Sequence, residues 1–214
     1  IQPRENQGQF QLVPEDQAKT DLAAFGVPTP QAQTVDTADV LASIDTPFPW
    51  VIKATGLAHK SDQGGVALNI QDLEAARAAY TAMPSKTVLV EPMITDTVAE
   101  LLVGVTLDPA HGFVLTIGAG GVMTELLQDT VSMLVPTCRE EVAGRMAKLK
   151  TYPLLTGYRG KPAANLEAVL DALMALQDYV VANQAQLIEV EINPILATQS
   201  SAVAVDALIR RSSS

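Results

Sequence analysis

Several residue types are scarce in this sequence, and each scarcity excludes something. There is one cysteine, Cys138, so no disulfide can close within the chain, which suits a reducing, cytoplasmic setting. Aromatic residues make up 4% and charged residues 18%, with Asp+Glu 24 against Lys+Arg 14 and a formal net charge of −10. With so few cations and no basic patch interleaved with aromatics, nucleic acid is not an expected partner. Long disordered stretches are not expected inside a chain this poor in charge. No apolar run approaches the roughly 20 residues of a membrane-spanning helix, so no membrane association is expected. No secretory signal pattern is read at the N-terminus.

What is present is a large apolar fraction, 48% of 214 residues, much of it Ala, Val and Leu. Periodicity and capping signals predict helices over 14–25, 72–82, 139–149 and 166–182, with Asn165 as the cap of the last. Asp36 is read as the cap of a further short helix reaching Ser43. Strands are expected over 31–35, 86–91, 98–107, 112–117, 130–135, 187–193 and 202–208. Helices interleave with hairpins without regular βαβ alternation, an α+β pattern. The expected seam lies at Pro84–Lys86. It divides an N-terminal lobe, 12–85, from a C-terminal lobe, 86–210, with a frayed segment at 1–11 and a polar tail at 211–214.

The stretch Pro49 to Ile70 carries the strongest local signal. The apolar run Trp50-Val51-Ile52 ends on Lys53, a polar loop brings His59, Lys60 and Asp62, and Gly64-Gly65 opens a second apolar run. Taken singly, Lys53 is a solvated strand end and the glycines are a turn. Together they suit a phosphate loop: paired glycines let a backbone approach a ligand closely, loop N–H groups can face phosphate oxygens, and a lysine adds a point charge. His59 would face the transferable phosphoryl group.

The second signal is the last hairpin. In IEVEIN, side chains two apart share a face, so Glu189, Glu191 and Asn193 point one way and Ile188, Val190 and Ile192 enter the core. If the turn centres on Gln199-Ser200, Asn193 lies opposite Asp206, with Cβ atoms about 4.5–5.5 Å apart. Asp206 is embedded in AVAVDALI, where a lone carboxylate is costly. Such oxygen donors can share Mg²⁺, which completes its shell with water and substrate phosphates. Glu91 and Glu100 flank a linker whose backbone groups and carboxylates suit a base and a ribose. The second glycine loop, GAGGVMTE, lacks the spacing of a dinucleotide fingerprint. His111 is read as a surface turn residue. Cys138, at a helix start but without a partner motif, is read as structural.

These residues resemble the ATP-grasp domain of the NDP-forming acyl-CoA synthetases, the ADP-forming acetyl-CoA synthetase group, and more distantly the β subunit of succinyl-CoA synthetase. The likeness runs from about Leu12 to Arg210. It rests on LVPEDQAKTDLAAFGVPTP, WVIKATGLAHKSDQGGVAL, VLVEPM, ELLVGVTLDPAHG, GAGGVMTELLQD, LLTGYRGKP and EVEINPIL…VAVDALIR. The resemblance implies an ATP-grasp fold, with nucleotide held between two α+β lobes. It implies that Lys53 contacts nucleotide phosphates with the Gly64-Gly65 loop, that Glu91, Pro92 and Met93 meet adenine and that Glu100 lies near ribose. Asn193 and Asp206, with Glu191 beside them, would hold Mg²⁺. His59 would carry the phosphoryl group exchanged with ATP or ADP. Carboxylic acid and CoA would be handled by a separate α-type partner domain within a larger assembly. One departure stands out: many relatives carry arginine where this chain has Met133, which leaves Arg159 of GYRG to supply that charge. A second expectation from the resemblance is a regulatory nucleotide- or CoA-binding module of a protein acetyltransferase.

Overall fold

A computed structural model describes residues 10–56, 63–120 and 129–213 of the chain. They form two compact units: Pro30–Thr95, and the residues up to Thr29 together with those from Asp96 onward. The expected seam at Pro84–Lys86 therefore falls inside the smaller unit. The residues just after it form a strand, and that strand is interior to the smaller unit's sheet.

The smaller unit is built on strands β2 (Gln33–Val35), β3 (Trp50–Ala54), β4 (Val66–Ile70) and β5 (Val88–Pro92), in the antiparallel order β2-β5-β3-β4. Helix α2 (Leu73–Ala82) starts where the Asp72 side chain accepts the Ala75 N–H at 2.8 Å. Its Ala76 packs with Val35, Trp50, Ile52, Val88 and Val90 into one apolar cluster. The Asp36 cap is not observed: the residue before the 3₁₀ turn Val40–Ser43 is Asp39. The Asp36 carbonyl instead lies 2.7 Å from the Tyr80 hydroxyl, which is also 2.7 Å from the Lys86 carbonyl. In β4 the pairing with β3 shifts between Trp50 and Ile52, and Asn69 sits at φ 59, a left-handed backbone that Asn tolerates.

In the larger unit the described residues form a seven-stranded antiparallel sheet. Its strands are β1 (Phe10–Val13), β6 (Thr97–Asp108), β7 (Gly112–Ala119), β8 (Thr130–Leu134), β9 (Leu187–Thr198), β10 (Ala202–Ala204) and β11 (Ala207–Ser212). Their order is β1-β11-β9-β6-β7-β8, with β10 also on β9. Four helices accompany it: α1 (Glu15–Ala23), α3 (Arg139–Met146), α4 (Tyr152–Thr156) and α5 (Leu166–Asn183). Asn165 caps α5 by accepting the Ala168 N–H at 3.1 Å. Val169, Leu173, Leu176 and Val180 of α5 are buried with Val103, Val105, Leu115, Ile117, Val190 and Ile192 of the sheet. Each such side chain stabilises the fold by about 1.5–3 kcal/mol through burial.

The two ends of the chain depart from expectation. Phe10 and Gln11, read as frayed, pair with Ser212 and Arg211, read as tail. Arg211 is held because its guanidinium donates to Asp21 of α1 at 2.7 Å and to the Tyr179 hydroxyl of α5 at 3.0 Å. Burial pushes the Tyr179 hydroxyl pKa up, and the Arg211 bond opposes that rise. A bulge at Arg210–Arg211 puts one extra residue into β9 there, so Leu187 is buried in place of the expected Ile188.

Asp129 ties β8 to α4. Its buried carboxylate accepts the Lys150 N–H at 2.9 Å, the Thr151 N–H at 2.8 Å and the Thr151 hydroxyl at 2.7 Å. Burial raises its pKa, but these hydrogen bonds outweigh burial and hold it below the ordinary carboxylate value.

Arg211→Ala, which breaks two bonds to a charged group, should lower unfolding free energy by about 1–3 kcal/mol, read from urea denaturation midpoints. Asp129 should give a pH signature. Its folded carboxyl ionises below the unfolded value of about 3.9, so its contribution is full above that pH and is lost as pH falls through the lower folded value. Asp129→Asn should therefore be less stable than the parent at pH 7, with the gap narrowing as pH falls below about 4 in thermal melts.

Candidate functional site

In the smaller unit, Trp50 and Ile52 of β3 face the apolar cluster, so Val51 and Lys53 face the other way. Lys53 is no solvated strand end: it is 5% exposed, and its Nζ lies 3.1 Å from Oε2 of Glu91, itself 1% exposed. The expected phosphate lysine and the expected linker acid thus form one buried ion pair. Removing one member of such a pair leaves a buried charge and typically costs about 3–5 kcal/mol.

Pro92 has no N–H, and the Met93 N–H donates to the Pro49 carbonyl at 2.9 Å. Neither of these linker residues therefore offers a spare backbone donor to a base edge, contrary to expectation. Gly64 adopts φ +67 with open space where a Cβ would stand, and the Gly65 carbonyl accepts the Ala54 N–H at 2.7 Å, prolonging the β3–β4 ladder. The loop between β3 and β4 is thus anchored on its glycine side. His59, with Lys60 and Asp62, lies outside the described residues.

In the larger unit, β9 and the returning chain share one register. Ala204 opposes Ile195 and Ala207 opposes Ile192, which leaves Asn193 opposite Asp206; the Asn193 N–H lies 3.3 Å from the Asp206 carbonyl. Glu191 lies on the same face, between Gly104 of β6 and Leu208 of β11. Asn193 is exposed, while Asp206 and Glu191 are half-buried, so added oxygen ligands can reach them. This face is not purely acidic. Arg210 stands opposite Glu189 and bonds it at 3.0 Å, a pairing that sequence reasoning missed.

Among the described residues no group of three or more His, Cys, Asp or Glu is placed to hold a metal unaided. The Asn193–Asp206 pair nevertheless fits Mg²⁺, which takes one or two carboxylates and leaves several positions to water and phosphate.

Glu100, on β6, is exposed, and its carbonyl accepts the Gly120 N–H at 2.8 Å. A Cβ on Gly120 would stand 2.9 Å from the Glu100 carbonyl carbon, so only glycine fits there. Glu100, Leu101, Ala119, Gly120, Thr151 and Leu154 line a cavity of about 450 Å³. Glu91 and Glu100 fall in different units. Arg159 is exposed at φ 48, between Gly157 and Gly160, which also have positive φ, and its guanidinium lies 5.3 Å from the Tyr158 ring centre. Met133 belongs to the apolar core and opposes Leu115, so it is turned away from the face that bears Glu191. His111 is exposed and bonded to Asp108 at 2.8 Å, as expected of a surface turn residue, whereas Cys138 is exposed at the start of α3 and makes no side-chain cap bond there.

The family model of the ATP-grasp domain matches residues 5–210. The β subunit of the ADP-forming acetate–CoA ligase I of Pyrococcus furiosus is 30% identical over 207 residues, covering 90% of this chain and 89% of that subunit. Among solved structures, the dinucleotide-forming acetyl-coenzyme A synthetase 1 of Ca. Korarchaeum cryptofilum, in complex with coenzyme A, Ca-AMPCP and HgCl+, superimposes with a TM-score of 0.86 at 29% identity, covering 93% of each chain. A second structure of that enzyme has Mg-AMPPCP and a phosphohistidine segment pointing towards the nucleotide binding site; it gives a TM-score of 0.80 at 30% identity, covering 91% of this chain and 90% of that one. The α+β architecture, the motif order and these likenesses agree: the chain belongs to the ATP-grasp domain family, in the group of the ADP-forming acetate–CoA ligase β subunits.

Proposed function

We propose that this chain is the ATP-handling half of an NDP-forming acyl-CoA synthetase, an acid–thiol ligase that converts carboxylate, CoA and ATP to acyl-CoA, ADP and phosphate. The observation that carries the reading is the register of β9, which sets Asn193 opposite Asp206 on a polar, accessible sheet face. Near coextension with a ligase β subunit supports the catalytic reading over a regulatory module of an acetyltransferase.

In this reading Asn193 and Asp206, with Glu191 adjacent, hold Mg²⁺, which when bound neutralises phosphate charge. Lys53, poised by Glu91, adds a positive charge against the nucleotide phosphates, and Glu100 accepts from the ribose hydroxyls. The Gly64-Gly65 turn lets the β3–β4 loop approach those phosphates, and Arg159 adds a second cation.

Neutral imidazole is a competent nucleophile near pH 7. A His59 ring nitrogen attacks the γ-phosphorus; an N–P bond forms as the bond to the β-phosphate's bridging oxygen breaks, and ADP leaves with that electron pair. The phosphoryl group then passes to the carboxylate-bearing site of an α-type, CoA-binding partner.

Two measurements test this. After incubation with γ-labelled ATP the parent chain should acquire an acid-labile label, whereas His59→Ala should stay unlabelled while still binding ATP; label on His59→Ala would remove the relay role. In calorimetric titrations, Lys53→Met and Asp206→Asn should weaken Mg·ATP binding by about tenfold to a hundredfold. For Asp206→Asn that loss should vanish when Mg²⁺ is withheld.

A further inference from the structure

The second glycine loop is the motif that the proposed function leaves without a role, and the described residues at its two ends bond to one another through the main chain. Ala119, where β7 ends, donates its N–H to the Asp129 carbonyl at 3.3 Å. Gly120 donates to the Glu100 carbonyl at 2.8 Å. The Asp129 carboxylate, in turn, accepts all three hydrogen bonds from Lys150 and Thr151 at the start of α4. Packing here leaves no slack. A Cβ on Gly118 would stand 2.8 Å from the Thr130 Cγ2 and 3.0 Å from the Asp129 carbonyl oxygen, and one on Gly120 would meet the backbone of Glu100 and Leu101 at 2.9–3.0 Å. Three wall segments of the cavity of about 450 Å³ are therefore linked in series: Gly120 bonds the end of β7 to β6, the Asp129 main chain bonds that end in turn, and the Asp129 carboxylate bonds the residues that open α4.

We infer that Asp129 is a positioning residue for nucleotide binding: its carboxylate fixes it to Thr151, its main-chain carbonyl holds Ala119, and Gly120, next to Ala119, holds the backbone of Glu100 in place on the cavity wall. This rests on the nucleotide reading given above. The side-chain chemistry makes the role specific to a carboxylate. All three groups aimed at the Asp129 carboxylate are donors, so an acceptor-only side chain satisfies them, whereas an amide would turn its NH₂ towards at least one donor. A misfit there is relieved by movement of the β7 end or of α4, and either movement shifts Glu100.

The test is calorimetric titration of Mg·ATP into the full chain, with stability measured in parallel. Asp129→Asn should bind at least about tenfold more weakly at a temperature where it is fully folded. Thr151→Val, which removes one donor of three, should bind about threefold more weakly. Val180→Ala, a core truncation in α5 remote in sequence from the cavity wall, should lose stability yet keep the parent's affinity within about twofold. Parental affinity in folded Asp129→Asn overturns the inference, as does an equal loss in Val180→Ala, which would mark a general effect of stability. If Asp129→Asn does not fold, Thr151→Val decides, and unchanged affinity there overturns the proposal. Failure of the parent itself to bind Mg·ATP would instead refute the nucleotide reading on which this inference rests.

Discussion

Strand β9 is hydrogen-bonded along both edges, to β6 on one side and to β10 and β11 on the other, and those two ladders fix where every side chain of the larger sheet points. Side chains on a strand alternate with a period of two, so a slip of one residue would bury Glu191 and Asn193 and expose Val190 and Ile192. The apolar half of β9 has α5 and the partner strands to pack against, and burying it is worth several side chains at about 1.5–3 kcal/mol each. The donor face is thus set by the energetics of the opposite face. Asn193, Glu191 and Asp206 lie together because Val190, Ile192 and Ala207 must lie inside.

Charge within the fold follows one rule: each buried ionic group in these units has been given partners. Lys53 and Glu91 neutralise each other inside the smaller unit, and Asp129 is surrounded by donors in the larger one. Pre-pairing has a chemical consequence. In the proposed function Lys53 would not have to be desolvated afresh on binding, and it is already aimed by the side chain beside it, so less of the binding free energy would go into arranging it. The chain as a whole carries −10, which opposes an anionic nucleotide at long range. Affinity must then come from short-range contacts with a few cations, from backbone donors at the glycines and from the divalent ion that the Asn193–Asp206 face suits.

Glycines here serve two different physical needs. Gly64, Gly157 and Gly160 adopt positive φ, where a side chain would strain the backbone, and they shape loops on accessible parts of the chain. Gly118 and Gly120 are glycine for lack of room, because a Cβ would collide with the backbone or side chain of a neighbouring strand. Loop shape can be set by turn chemistry alone, whereas close approach depends on partners far away in sequence.

Much of the architecture was legible locally. The cap at Asn165, the turn at Asp108-Pro109, the alternation of VEIN and the centring of the last hairpin all act over a few residues, and each produced the element or register expected of it. Other features were decided only when distant segments met. The chain ends became paired strands because β11 offered β1 an edge and Asp21 and Tyr179 offered Arg211 acceptors. The division into units follows β5, whose pairing with β2 and β3 outweighs the Pro84 break, and the Lys53–Glu91 pair exists because that same antiparallel pairing sets the two side chains diagonally on one face. Short-range backbone preferences and apolar periodicity are written residue by residue, so the sequence by itself determined the elements, their inner faces and the family they spell out. Which charges neutralise each other, and which glycines are there for want of space, depends on contacts across tens of residues, and tertiary structure alone decided them.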